Sequence, residues 1–181
     1  MSPIFTRRAR HRLPEEVERA LGAEVRERVM GWTLASLPQE FLVIGAHTLS
    51  VVVTHEGAAL VRLRRPWHLV DAGSFDPESS RLGLSWADDS RPELWQLDLA
   101  AAGALEVVDT FRDRVQASVV LADSVGLGRE RLARVVIRRD LATGELLCQE
   151  LLPAGVDRAE PGVAARLDAT AAALKEQVGL P

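Results

Sequence analysis

A single cysteine, Cys148, is all the thiol chemistry in these 181 residues. One cysteine excludes an internal disulfide and any cysteine-rich metal site, and it fits a reducing compartment. Lysine is equally scarce: of 22 basic side chains only Lys175 is a lysine, the rest being arginine, as a GC-rich genome would encode. No apolar run is long enough to cross a bilayer as a helix, because Phe41–Val53 is interrupted by Gly45, His47 and Thr48. The N-terminus, Met1-Ser2-Pro3-Ile4-Phe5-Thr6, turns basic with no apolar segment behind it, so no secretory signal is expected. A net charge of −4 gives no general attraction to nucleic acid or to an anionic membrane. These absences lead to the expectation of a soluble, cytoplasmic protein without membrane insertion.

The motifs of catalysis are missing too. There is no HExxH, no Cys–His pair at ligand spacing and no GxSxG elbow. Gly126-Leu127-Gly128 lacks both a third glycine and the lysine of a phosphate loop, so it reads as a plain connection. No catalytic residue, cofactor or metal is assigned from the sequence. His68 with Asp71 is the one conceivable acid–base pair, but a strand would point the two to opposite faces. His11, His47 and His55 fall in an arm and in turns, and Cys148 falls within an apolar strand as a small hydrophobe.

What is present is a chain of ordinary globular composition, 47% apolar and 27% charged, long enough for one domain with an extension. Residues 1–13 carry Arg7, Arg8, Arg10, His11 and Arg12 without an acidic partner, the pattern of a flexible basic arm. Pro14, Glu15 and Glu16 then open a short helix that Gly22 closes. From Glu27 to Asp98 the period becomes that of strands. Seven are expected: Arg28–Ser36, Phe41–Ile44, Leu49–Val53, Ala59–Arg64, Trp67–Phe75, one through Leu82, Leu84 and Trp86, and one through Trp95 and Leu97. Ala104, Val108, Phe111, Val115, Ser118 or Val119, and Ala122 form a stripe that predicts a helix of about 20 residues, about 30 Å long. A hairpin, Leu132–Arg139 with Glu145–Leu152, and a helix after Pro161 with Val163, Leu167, Leu174 and Val178 on one face complete the chain.

Seven strands followed directly by one helix is the order of the pleckstrin-homology (PH) fold. Phe41-Leu42-Val43-Ile44, a tight turn and Leu49-Ser50-Val51-Val52-Val53 resemble the second and third strands of bacterial PH-like proteins. Pro66-Trp67-His68-Leu69-Val70 with Ser74-Phe75-Asp76 resembles the region that follows, in an uncharacterised actinobacterial family. Arg112–Val120 and Arg139–Leu146 are similar to that family as well. The resemblance implies an α+β fold: a PH-like, seven-stranded partial β-barrel over 14–126 capped by a helix. Residues 127–181 would add a C-terminal hairpin and helix packed on the same domain. No activity comes with it. The first loop, Ala35–Glu40, contains no cation, so phosphoinositide binding is not expected.

Candidate contact residues therefore come from the surface. Trp67, beside Pro66 at a strand start, is the tryptophan expected to be partly exposed, whereas Trp32, Trp86 and Trp95 are assigned to the core. Arg62, Arg64 and Arg65 form one arginine cluster. Arg134 and Arg138 belong to a second, which also contains Arg129, Arg131 and Arg139. Such clusters either guard a solvated sheet edge or face phosphate. The aromatic interleaving of single-strand binders is absent. The leading expectation is a non-catalytic interaction or scaffolding module, binding a protein partner or itself. The alternatives are an accessory nucleic-acid or ribonucleoprotein binder and, last, an enzyme.

Overall fold

The computed structural model describes residues 12–22, 27–88, 90–101, 103–128 and 131–181. The predicted basic arm lies outside them except for its last two residues. Helix α1 (Glu15–Leu21) is followed by strands β1 (Val29–Leu37), β2 (Glu40–Gly45), β3 (Thr48–His55) and β4 (Ala58–Pro66). A 3-10 turn (Trp67–Leu69) leads into β5 (Val70–Asp76), β6 (Arg81–Trp86) and β7 (Glu93–Leu97). Then come α2 (Ala104–Ser118), β8 (Val119–Gly126), β9 (Leu132–Arg139), β10 (Leu146–Leu151) and α3 (Val163–Val178). The fold is α+β. No helix among the described residues is long and apolar enough to cross a membrane.

Strands β1 to β7 make one antiparallel sheet in the order β4-β3-β2-β1-β7-β6-β5. The sheet is curved. Flat, β4 and β7 would stand about 19 Å apart, four strand spacings, beyond the reach of one side chain. Yet Arg62 of β4 bonds Glu93 of β7 at 2.8 Å, and Arg65 lies over the Trp86 ring of β6, 4.3 Å from its centroid. The curvature does not close a barrel, since β4 and β5 both end the sheet order.

Each helix covers a face whose sequence requires it. The inner face offers Leu42, Ile44, Leu49, Val51, Leu82, Leu84, Trp86, Trp95 and Leu97, and α2 fills it with Val107, Val108 and Phe111. On the outer face, Val17 and Leu21 of α1 pack with Val43 and Val52, so β2 and β3 are buried on both sides and read as unbroken apolar runs. Gly22, at φ 73°, ends α1 where the sequence placed its stop.

Beyond Ser118 the structure departs from the sequence reading. Helix α2 has 15 residues, and the rest of its predicted stripe is a strand, β8. Val119 and Ala122 continue the helical spacing by coincidence. The β-branched Val119-Val120 pair favours extended backbone, and β9 supplies the partner ladder, pairing Ala122 with Val136. The expected hairpin is therefore part of a three-stranded sheet, β10-β9-β8. One of its faces, with Ala133, Val135 and Ile137, packs under α3 through Val163, Leu167 and Leu174.

Candidate interaction surface

Arg62, Arg64, Arg65, Arg131, Arg134 and Arg138 are engaged within the chain, while Arg139 is exposed. Arg62 forks onto Glu40 at 2.5 and 2.8 Å and onto Glu93 at 3.0 and 2.8 Å. Glu40, only 5% exposed, also accepts the Trp95 Nε1–H at 2.8 Å. The bonds to Glu93 and Glu40 push the Arg62 pKa well above its ordinary value. Arg64 donates to the Leu21 carbonyl at 2.8 Å, tying β4 to the end of α1. Arg65 covers Trp86 and bonds Asp88, holding that carboxyl down to about 2.

The second cluster is not an edge. Because 119–126 is a strand, β9 is central in its sheet. Arg134 bonds the Asp71 carboxylate, and Arg138, 1% exposed, donates to Ser118 Oγ and the Asp71 carbonyl, both at 3.0 Å. Burial lowers the Arg138 pKa. Arg131 pairs with Glu160 at 2.9 Å, and Arg129 lies outside the described residues. Arg134 and Arg138 thus join the second sheet to the start of β5. Gln149 Nε2 does the same through the His68 carbonyl, at 3.0 Å.

Trp67 is a core residue, not a surface one. It is fully buried, donates its Nε1–H to the Gly45 carbonyl at 3.0 Å and meets Phe111 edge-on, with ring centroids 5.6 Å apart. Pro66 ends β4, and the 3-10 turn that follows drives the indole inward where a strand start was expected. His68 stands apart from Asp71, which the arginines hold. Its Nδ1 is 3.9 Å from the Asp140 carboxylate and has no hydrogen-bond partner among the described residues. Burial pushes the His68 pKa down. Cys148 is half-buried on β10, and burial pushes its thiol up.

The two edges of the large sheet remain, and they differ. Edge β4 ends in Pro66, carries a register irregularity opposite Val51 and Val52 at Arg62, and has its arginines bonded to neighbours. Charge, bulge and proline are the usual means of discouraging another strand. Edge β5 has a register irregularity between Val70 and Ala72 and ends in the exposed Asp76 before Pro77, so its unguarded stretch is the three residues between. Arg138 covers the Asp71 carbonyl, and beyond it Ala72, Gly73 and Ser74 are small, uncharged and exposed.

Helix α2 runs beside that open stretch. A Cβ at Gly73 would overlap the Phe111 ring, so glycine is what lets the helix approach the strand. Between them lies a cavity of about 280 Å³ with Phe75, Leu82, Val108, Phe111 and Val115 in its walls. Arg112 and Gln116 line it too. A second, more open hollow along the same stretch of β5 is lined by Ala72, Gly73, Ser74, Gly83 and Leu94. The sequence signal for this surface was the run Ala72-Gly73-Ser74, a glycine within a strand. It was read only as strand interior, because nothing local says that β5 ends a sheet.

No model of a known protein family matches the chain, and a search among curated proteins finds no match.

Proposed function

We propose that the chain is a non-catalytic, cytoplasmic interaction module of PH-like fold that accepts an extended partner segment on the open edge of β5. One observation carries this: edge β4 has proline, irregular register and bonded arginines along its second half, while the stretch 72–74 of edge β5 is small, uncharged and flanked by a cavity. An exposed row of backbone N–H and C=O groups is a template for a strand from another chain. Seven antiparallel strands on a curved sheet, followed directly by a helix that fills the inner face, support the PH-like reading and the partial-barrel description. The bonded arginines count against a nucleic-acid role, because each already bonds an acceptor within the chain.

The experiment is a selection of linear peptides from a random displayed library, run on the native chain and on an Ala72→Lys/Ser74→Lys variant. Both positions are exposed, so melting should not change. Binders of the native chain should be lost on the variant. Binders indifferent to the two lysines would place the interaction elsewhere.

A further inference from the structure

We infer that the second sheet and α3 swing off β5 as a unit, with both cores intact, and uncover the His68 and Asp71 carbonyls at the start of that edge. The two cores share no residue: one lies between the large sheet and α2, the other between β8–β10 and α3. A seam of side chains joins them. Ala133, Val135 and Ile137 of β9 face α3, so alternation turns Arg134, Val136 and Arg138 toward β5. Val136 is 2% exposed yet belongs to neither core. Leu141, in the turn between β9 and β10, reaches across and packs on the first core.

The seam is poorly compensated. Arg138 is buried and meets neutral acceptors at 3.0 Å, Ser118 Oγ and the Asp71 carbonyl. The Asp71 carboxylate stands 4.0 Å from it and bonds Arg134 instead. A buried cation without a bonded counter-charge is costly. Three atoms at the seam are also buried with no hydrogen-bond partner among the described residues: Arg138 Nε, His68 Nδ1 and Gln149 Oε1. Each has lost water without replacement, which offsets what the bonds across the seam contribute. Opening returns all three to water, while the apolar surfaces of both cores stay covered. The hinge is one peptide unit wide, since α2 ends at Ser118 and β8 begins at Val119. Arg138 bonds both the hinge residue and the edge, and so latches the two at once. Undocking frees the Asp71 carbonyl from Arg138 and the His68 carbonyl from Gln149. On the reading proposed above, this lengthens the open stretch toward the usual strand length of about 5–6 residues. The opening itself stands without that reading.

Thiol labelling of the full chain, on a Cys148→Ala background, tests the motion. Val136→Cys places a reporter in the seam, Ile137→Cys in the second core and Val51→Cys in the first. An excess of a small aromatic disulfide reagent labels each thiol only when it is uncovered. Val136→Cys should react about a hundredfold faster than the other two, at a rate that low denaturant leaves nearly unchanged. Gln149→Cys gives a second reporter on the same seam and should agree. Arg134→Ala, which removes the bond to Asp71, should raise the seam rate about tenfold and leave the core rates as they were. Equal rates at 136, 137 and 51 would overturn the inference, since the seam would then open only when the whole chain unfolds. Equal rates at 136 and 137, both faster than at 51, would overturn it differently: the second sheet would unfold rather than move as a unit. A seam rate unchanged by Arg134→Ala would mean that the contacts with β5 do not hold it shut, and would overturn it as well.

Discussion

The β4 and β5 edges belong to one sheet and face opposite requirements. At β4 every device works against further pairing, and the same devices hold the curve of the sheet: Arg62 closes onto β2 and β7, Arg65 onto β6, and Arg64 onto α1. At β5 the second sheet covers only the first residues, and the rest stays open beside a cavity. An arginine cluster on a surface strand is therefore no sign of a phosphate site until its acceptors are counted. The proposed binding falls instead on the uncharged stretch 72–74 of edge β5.

The comparison breaks hardest at Arg62. Arg62→Ala leaves Glu40 buried with only the Trp95 N–H as partner, an uncompensated charge costing about 3 kcal/mol. Urea denaturation would measure it, and an added Glu40→Gln should return part of the loss. If Arg62→Ala is neutral, the charge network does not hold the curve, and the guarded character of β4 lies in Pro66 and the irregular register alone.

On the open edge the largest effect is expected at Gly73. Gly73→Val drives a side chain into the Phe111 ring and should cost about 2 kcal/mol through forced repacking. Ser74→Val, facing the other way at an exposed position, should stay within about 0.5 kcal/mol. Equal losses at the two positions would mean that α2 does not bear on β5 as described.

How far the sequence reaches can be judged residue by residue. Alternation and the unbroken apolar runs of β2 and β3 point to the seven strands of the large sheet, and Pro14 and Gly22 mark the ends of α1. These signals are local. Strand β8 was missed because Val119 and Ala122 satisfy a helical period, and only pairing with β9, more than ten residues away, decides against it. The arginines of β4 are legible as an edge guard, but their acceptors are not: Glu40 and Glu93 lie 22 and 31 positions from Arg62, invisible to any window. Trp67 was placed outside because a proline-tryptophan step reads as a strand entry, and its buried partner, the Gly45 carbonyl, is again non-local.

The covered start of β5 should respond to pH through His68. Asp140 and Glu145 favour the charged imidazole while Arg138 and burial oppose it, and burial dominates. The folded-state pKa is therefore depressed, so the folded chain binds fewer protons than the unfolded one below about pH 6.5. Stability is full above that value and falls as pH drops through the window between the unfolded and folded pKa. His68→Gln should flatten this dependence between pH 7 and pH 5 in denaturant titrations, and amide exchange at Asp71 and Gln149 should report the same change. A slope of opposite sign would mean that Asp140 outweighs burial.

The smallest effect on stability, and the sharpest separation of the edges, is expected from single lysines. Ser74→Lys and Leu60→Lys both replace exposed residues, Leu60 being 72% exposed on β4, and neither should move the melting midpoint by more than a degree or two. Their effects on association should differ. An open, uncharged edge pairs with other strands at high concentration, and one inserted charge is enough to discourage it. The native chain should show weak self-association at high concentration in sedimentation velocity, and Ser74→Lys should lower it. Leu60→Lys should leave it unchanged, because β4 already turns strands away through Arg62, Arg64 and Pro66. If Leu60→Lys proves the more effective, exposed leucine rather than open backbone drives the contacts, and the apolar surface of β4 becomes the sticky side of the sheet.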